Sequence, residues 1–524
     1  MRRTEKMEAE MSKPIEHVVV VGGGSAGWLT AAILAVEHPR LTVTLVESPG
    51  VPPIGVGEGT WPSMRETLQR IGVSEAAFFR ECDAAFKQGS RFDRWVDGGD
   101  ADIYFHPFSL PQGYGEANLA AAWQHGHRDV PFADLVSYQP HLCHQGRAPK
   151  QPQTPEYAGV ANYGYHLDAG KFGAFLQKHC TEKLRVRHVL AHVVDIISTD
   201  AGDAAGDIQA LRTREAGVVE GDLFVDCTGM ASLLLGRHYG VPFVSQRDVL
   251  FNDRALAVQV PYPAPDAPIA SQTTSTAQSC GWIWDIGLPA RRGIGYVYSS
   301  AHCADDAAEQ TLRAYLSATG IEGDIPAPRK IAFDPGYRAR FWERNVVAIG
   351  LSAGFIEPLE ASALALVELS AAWLADDLPA TRAQMDTIAA RFNEAFTYRW
   401  ERIIDFLKLH YVLSRRTDSA YWLDHRTART QSQRLRELLA LWRTRAPSRR
   451  DFPRIEEIFP SASWQYILYG MGFRPEFSGR ASDLPEAAAQ YFREAARLTA
   501  RMLPLLPANR AMLDHIRQYG MPAP

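Results

Sequence analysis

The spacing Gly22-x-Gly24-x-x-Gly27 is the first feature of this chain with a chemistry attached to it. Glycines in this pattern allow a tight turn (Gly22), close approach of the backbone to a pyrophosphate (Gly24) and close helix–strand packing (Gly27). Ser25, Ala26 and Gly27 would open a helix whose unpaired N–H groups and positive dipole end face the phosphates. Glu47 stands 20 positions beyond Gly27, where a carboxylate can accept hydrogen bonds from a ribose. Together these predict dinucleotide binding. Lys87, Glu360 and His106 are further groups that could do chemistry. Read alone, Lys87 is a surface lysine on an amphipathic segment, Glu360 an acid at a helix N-terminus, and His106 a structural hydrogen bonder.

The elements that must position these residues follow from hydrophobic patterning. The apolar run 17–21, a helix over 27–36 and a strand over 41–46 make a βαβ unit of the parallel, doubly covered kind. Two later apolar strands, 223–225 and 346–349, run directly into the small-residue turns Asp226-Cys227-Thr228-Gly229 and Gly350-Leu351-Ser352-Ala353-Gly354. The span 250–298 is rich in Val, Thr, Tyr and Trp and predicts a β-sheet region. After residue 360 helical spacing takes over, at 361–376, 383–413, 427–443, 486–502 and 509–519. Residues 98–154, rich in Pro, His and Gly, predict long functional loops. The fold class is α/β, and 524 residues exceed one compact core. The expected division is a flexible tail over 1–16, a dinucleotide-binding domain with an inserted β-sheet region over 17–359, and a mostly helical substrate-covering domain over 360–524.

Five segments in order carry a resemblance: Pro53-Ile-Gly-Val-Gly-Glu-Gly-Thr60, Ala85-Phe-Lys87-Gln-Gly89, Gly281-Trp-Ile-Trp-Asp-Ile286, Gly295-Tyr-Val-Tyr-Ser-Ser300 and Phe355-Ile-Glu-Pro-Leu-Glu360. With them the chain resembles the flavin-dependent tryptophan-halogenase-type family over most of its length. The family's Trp-x-Trp-x-Ile-Pro signature reads Trp282-Ile-Trp284-Asp-Ile286 here, with Gly287 in place of the proline. The resemblance implies a monooxygenase-type, Rossmann-like domain holding FAD, with Asp226 and Gly350 at further cofactor contacts. No second glycine fingerprint for NADH is present, so a separate flavin reductase would supply reduced FAD. In the family's scheme, reduced FAD, oxygen and a halide give hypohalous acid, which travels to a separate aromatic substrate. Lys87 matches the catalytic lysine, acting as a hydrogen-bond donor to the acid or as an amine that becomes a haloamine. Glu360 matches the catalytic glutamate, which orients the oxidant and accepts the ring proton; Glu357 is a weaker candidate. The backbone at Ser362 and Ala363 would bind chloride or bromide, although the family commonly has Thr-Gly there. His106 and Phe108 resemble the aromatic wall around the substrate ring, and Trp282 and Trp284 would stand near the flavin and keep substrate from it. An aromatic hydroxylase on the same fold is the alternative, and the Lys87–Glu360 pair speaks against it.

Phe459 could stand for one aromatic side chain holding an indole, but the segment 447–459 lacks the Tyr/Glu cluster with which members grip the amino-acid end of free tryptophan. A simple indole or an indole within a larger molecule is therefore the expected substrate. Net charge of -5 gives no reason to expect a nucleic-acid or anionic-membrane partner. Six singly scattered cysteines argue against a metal site or disulfide framework and fit a reducing cytoplasm. No apolar run of spanning length occurs, and a homodimer is compatible with this reading.

Overall fold

The computed structural model describes residues 14–50, 58–200, 204–321, 323, 325–477, 479 and 483–523. Most of the expected tail, and the motif residues Pro53 to Gly57, lie outside them. The tail's last residues are tied down: Ile15 N–H donates to the Ala380 carbonyl at 3.0 Å.

His17–Val21 forms a strand with four fully packed valines and lies between Thr42–Glu47 and Leu223–Asp226, parallel to both. Val346–Ala348 extends the same sheet beyond Leu223–Asp226, again in parallel, and Arg187–Leu190 closes its other side. The C-terminal ends of three neighbouring parallel strands thus deliver the turns at Gly22, Asp226 and Gly350 to one edge. Open α/β sheets bind their ligands there. The first helix runs Ser25–Glu37, starting two residues before the sequence reading put it.

A second, seven-stranded sheet combines the expected β-rich strands Arg254–Pro261, Thr273–Gln278, Gly281–Gly287 and Arg291–Tyr298 with Arg329–Ala332, Gly89–Asp93 and Ile103–Pro107. The last of these corrects the loop reading of 98–154. That span also holds the helices Leu119–Gly126, Phe132–Val136 and Gln139–His144. Local composition hid them because the strand is stabilised by pairing with Gly89–Asp93 and the helices are short, the first capped by the Asn118 side chain.

Beyond residue 360 the helices Ser362–Asp376, Arg382–Val412, Gln433–Leu441, Pro485–Leu505 and Asn509–Tyr519 follow the periodic pattern. Residues 427–443 are not one helix; a 3-10 turn at Ala428–Thr430 precedes a new start capped by Ser432. Ala420–His425 and Ser461–Gly470 were not anticipated. Val18 and Trp28 from the nucleotide-type unit share one continuous apolar core with Phe406, Trp464 and Ile516 from the helices. Among the described residues no helix is long and apolar enough to cross a membrane.

Candidate functional site

The glycine turn packs its backbone more closely than side chains would allow at two of its positions. Gly22 has φ +119°, and a Cβ there would sit 2.2 Å from the Cys227 carbonyl oxygen; one on Gly27 would sit 1.8 Å from the Gly22 oxygen. Gly24, in contrast, has open space where a Cβ would go. The helix begins directly after Gly24 with no capping side chain, so its first N–H groups remain available to an anion. A Cβ on Gly23 would overlap the Glu47 carboxyl, which therefore lies over the turn; its Oε2 is 3.0 Å from His188 Nε2. Gly350 (φ +80°) packs against Ala26. Asp226 differs from expectation. Its carboxylate accepts from the backbone N–H groups of Thr228, Leu234 and Leu235 and from the Thr228 hydroxyl, so it holds the turn together and its side chain is not free for a ligand. The donor set and the open space over Gly24 fit a flavin dinucleotide. Gly24→Val is accordingly expected to leave the melting temperature of the cofactor-free protein unchanged while weakening FAD binding about 100-fold or more, measured by fluorescence titration.

Lys87 ends the strand Ala85–Lys87, two residues before the chain passes into the seven-stranded sheet at Gly89. It is not a surface lysine; it is 1% exposed. Its Nζ lies 5.4 Å from the centre of the Phe108 ring, and Gly59 is the small residue that lets Lys87 and Ala361 meet. Burial lowers the ammonium to about 8 from its ordinary 10.5, with Glu360 pulling in the opposite direction.

Glu360 and Ala361 both have positive φ, +65° and +55°, immediately before the helix Ser362–Asp376. Two successive non-glycine residues in this region are strained, and such strain persists only where surroundings impose it. Here Trp61 Nε1 donates to the Glu360 carbonyl at 2.7 Å and the Ala361 N–H to the Pro358 carbonyl at 2.9 Å. No side chain caps the helix, so the N–H groups of Ser362 and Ala363 face an uncapped end beside Lys87 and Glu360.

The Glu360 side chain is buried against the seven-stranded sheet. Ser90 and His106 are directly opposite one another on Gly89–Asp93 and Ile103–Pro107, and both reach it. His106 Nδ1 is 2.8 Å from Oε1, and Ser90 Oγ donates to Oε2 at 3.2 Å. Burial alone would push the Glu360 carboxyl up. The charge and hydrogen bond of His106, with the charge of Lys87, outweigh burial and hold the carboxyl below the usual glutamate range. His106 therefore has a hydrogen-bonding part. Its ring is tilted against Phe406, Phe459 and Tyr466 at 5.7–6.5 Å. Phe459 stacks on Phe406 at 3.8 Å and meets Trp61 edge-on at 5.0 Å.

Glu357 is a structural pin. It accepts from Tyr411 OH at 2.7 Å, from Trp282 Nε1 at 3.3 Å and from Asn252. Trp282 and Trp284 are both buried, and Trp282 braces the segment that carries Glu360 through that bond. Ser90, Trp61, Tyr104 and His410 escaped the sequence reading. Ser90 and His106 could be paired only once the strand register was known, and His410 lies inside a long helix with no motif around it.

The model of the family described as Tryptophan halogenase matches residues 17–486. The chain belongs to that family. A crystal structure of tryptophan halogenase from Shewanella frigidimarina is 50% identical, covers 98% of this chain and 99% of its own, and superposes with a TM-score of 0.93. A flavin-dependent halogenase from Xanthomonas campestris is 31% identical over 98% of this chain and 99% of its own, with a TM-score of 0.85. The 7-chloro-L-tryptophan 6-halogenase KtzR of Kutzneria sp. (strain 744) is 33% identical over 95% of this chain and 99% of its own length. The protein is thus an enzyme, a flavin-dependent halogenase built on the α/β fold these relatives share.

Proposed function

We propose that this halogenase acts on an electron-rich arene of the indole type, bound beside Lys87 and Glu360. The observation that carries the reading is the convergence of a buried lysine and a buried, ionised glutamate on a strained helix start, next to His106, Phe108 and Phe459. When bound, reduced flavin supplies the oxidising equivalent from oxygen that turns a halide into hypohalous acid. A separate NAD(P)H-dependent reductase would deliver the reduced cofactor. Gly22, Gly24, Ser25, Ala26, Gly27, Glu47 and the Gly350 turn hold it, and the Ser362 and Ala363 N–H groups hold the halide.

Lys87 receives hypohalous acid as a hydrogen-bond donor in its ammonium form, which prevails below about pH 8. Aromatic side chains present the ring, one carbon of which takes the halogen while the acid's oxygen leaves as hydroxide and takes a proton from the Lys87 ammonium to become water. Glu360 takes the proton released from that carbon. Free L-tryptophan remains the second reading, favoured by Glu457. Its Oε2 accepts from Tyr398 OH at 2.7 Å, while its buried Oε1 has no side-chain hydrogen-bond partner among the described residues and could receive an ammonium.

The test is incubation with FAD, a flavin reductase, NADH, oxygen and bromide or chloride, followed by mass spectrometry over indole, substituted indoles and tryptophan. The expected result is a monohalogenated product that needs halide, with kcat/KM higher for an indole than for tryptophan. Hydroxylated product without halide would overturn the reading, and a preference for tryptophan would establish the second one.

A further inference from the structure

Glu360 has a neighbour that the proposed chemistry leaves unused. His410 is fully buried on the helix Arg382–Val412, one turn beyond Phe406, on the face that meets the seven-stranded sheet. Its Nε2 lies 3.7 Å from Glu360 Oε1 and has no hydrogen-bond partner among the described residues. Its Nδ1 is 2.7 Å from the Tyr104 hydroxyl. Tyr104 stands two residues from His106 on the same strand, so both side chains emerge on one face of the sheet. Phe92 stacks on Tyr104 at 4.8 Å, and Phe92, Trp95 and Phe406 enclose the imidazole.

These contacts select a tautomer. Burial keeps the proton on the Tyr104 hydroxyl, since it raises that group well above its ordinary range. Burial also lowers His410 to about 3, so the imidazole is neutral at any working pH. A neutral imidazole has one N–H and one lone pair. With Tyr104 OH donating to Nδ1, the ring proton sits on Nε2 and points at the carboxylate. The opposite tautomer would set a lone pair against an anion in a dry site.

We infer that Tyr104 and His410 form a positioning dyad: Tyr104 fixes the Nε2–H tautomer of His410, whose N–H dipole faces the Glu360 carboxylate from 3.7 Å and keeps it oriented to accept the ring proton. The inference rests on Glu360 being the base. Among the described residues, the groups facing Glu360 are His106 and Ser90 from the sheet, Lys87 from its own strand, and His410 from the helix. Of these, only His410 is a neutral imidazole locked by a second residue away from the site.

The decisive variant is Tyr104→Phe, which removes one hydroxyl, touches neither substrate nor Glu360, and keeps the ring stack. It is expected to lower kcat about tenfold with KM changed less than about twofold, because the His410 ring is then free to turn its N–H away from Glu360. The acid limb of the kcat profile should move up by roughly one pH unit, because a carboxylate that loses a facing N–H dipole needs higher pH to stay ionised. His410→Phe, filling the same aromatic cage, should match it, and His410→Gln, which restores an N–H, should recover part of the loss. Should His410→Phe not fold, Tyr104→Phe alone decides. Unchanged kcat and pH profile in Tyr104→Phe, beside an inactive Glu360→Gln, would overturn the dyad only. Normal turnover by Glu360→Gln would overturn the base assignment on which it rests.

Discussion

Lys87→Met is expected to abolish halogenated product while FAD binding and oxygen consumption persist, and to make the folded protein more stable at neutral pH. Both effects come from one fact: the lysine is fully buried in a site that lowers its ammonium to about 8. The unfolded chain keeps the proton up to its ordinary 10.5, whereas the folded chain keeps it only to about 8. Folding below pH 8 therefore carries the full cost of burying a charge, on the order of 3 kcal/mol. Between these two values the unfolded state binds more protons than the folded one, so wild-type stability rises with pH and the cost disappears near 10.5. Methionine fills similar volume without the charge. Its melting temperature should exceed that of the wild type at pH 7, with the gap narrowing by pH 9.5. A less stable variant at pH 7, or one that still halogenates, would remove Lys87 from the role assigned to it.

Glu360→Gln is expected to lower kcat by about 10²–10³-fold, the usual worth of a positioned proton acceptor. The carboxamide keeps the shape and can still accept from His106 or Ser90, and the main-chain bond from Trp61 to residue 360 does not depend on the side chain. Fold, flavin affinity and substrate KM should therefore change little. Quantified product formation under saturating arene measures the effect. A loss seen mainly in KM would make Glu360 a binding group and not a base.

The two variants separate steps that share one site. In the proposed function Lys87 acts on the oxidant and Glu360 on the substrate proton, and Gly59 leaves room for both Lys87 and Ala361. Their reach from distant parts of the chain explains why a helix start with two left-handed residues is tolerated at this point. The backbone is held in that geometry by Trp61 and Pro358, and the strained turn is what places a carboxylate, a lysine and free N–H groups together.

The amino-acid sequence determined the chemistry available and the local elements that carry it. The glycine turn, the valine strand and the helix after it are written in spacing and apolar period, because their stabilising contacts lie within a few residues or repeat along one element. Lys87, Glu360 and the tryptophan signature could be singled out through the motifs around them. Tertiary structure alone decided how these groups behave. Lys87 looks like a surface residue until the seven-stranded sheet and the Glu360 turn close over it. Asp226 looks like a ligand group until its carboxylate is seen to hold four donors of its own turn. The strand Ile103–Pro107 sits in a stretch that reads as loop because its stability comes from a partner strand, not from its composition. Ser90, His106, Tyr104 and His410 meet at Glu360 only through strand register and helix packing across 320 residues of chain, from position 90 to position 410. Burial, tautomer and ionisation belong to that assembled environment, since each depends on which groups from distant segments exclude water from the same few ångströms.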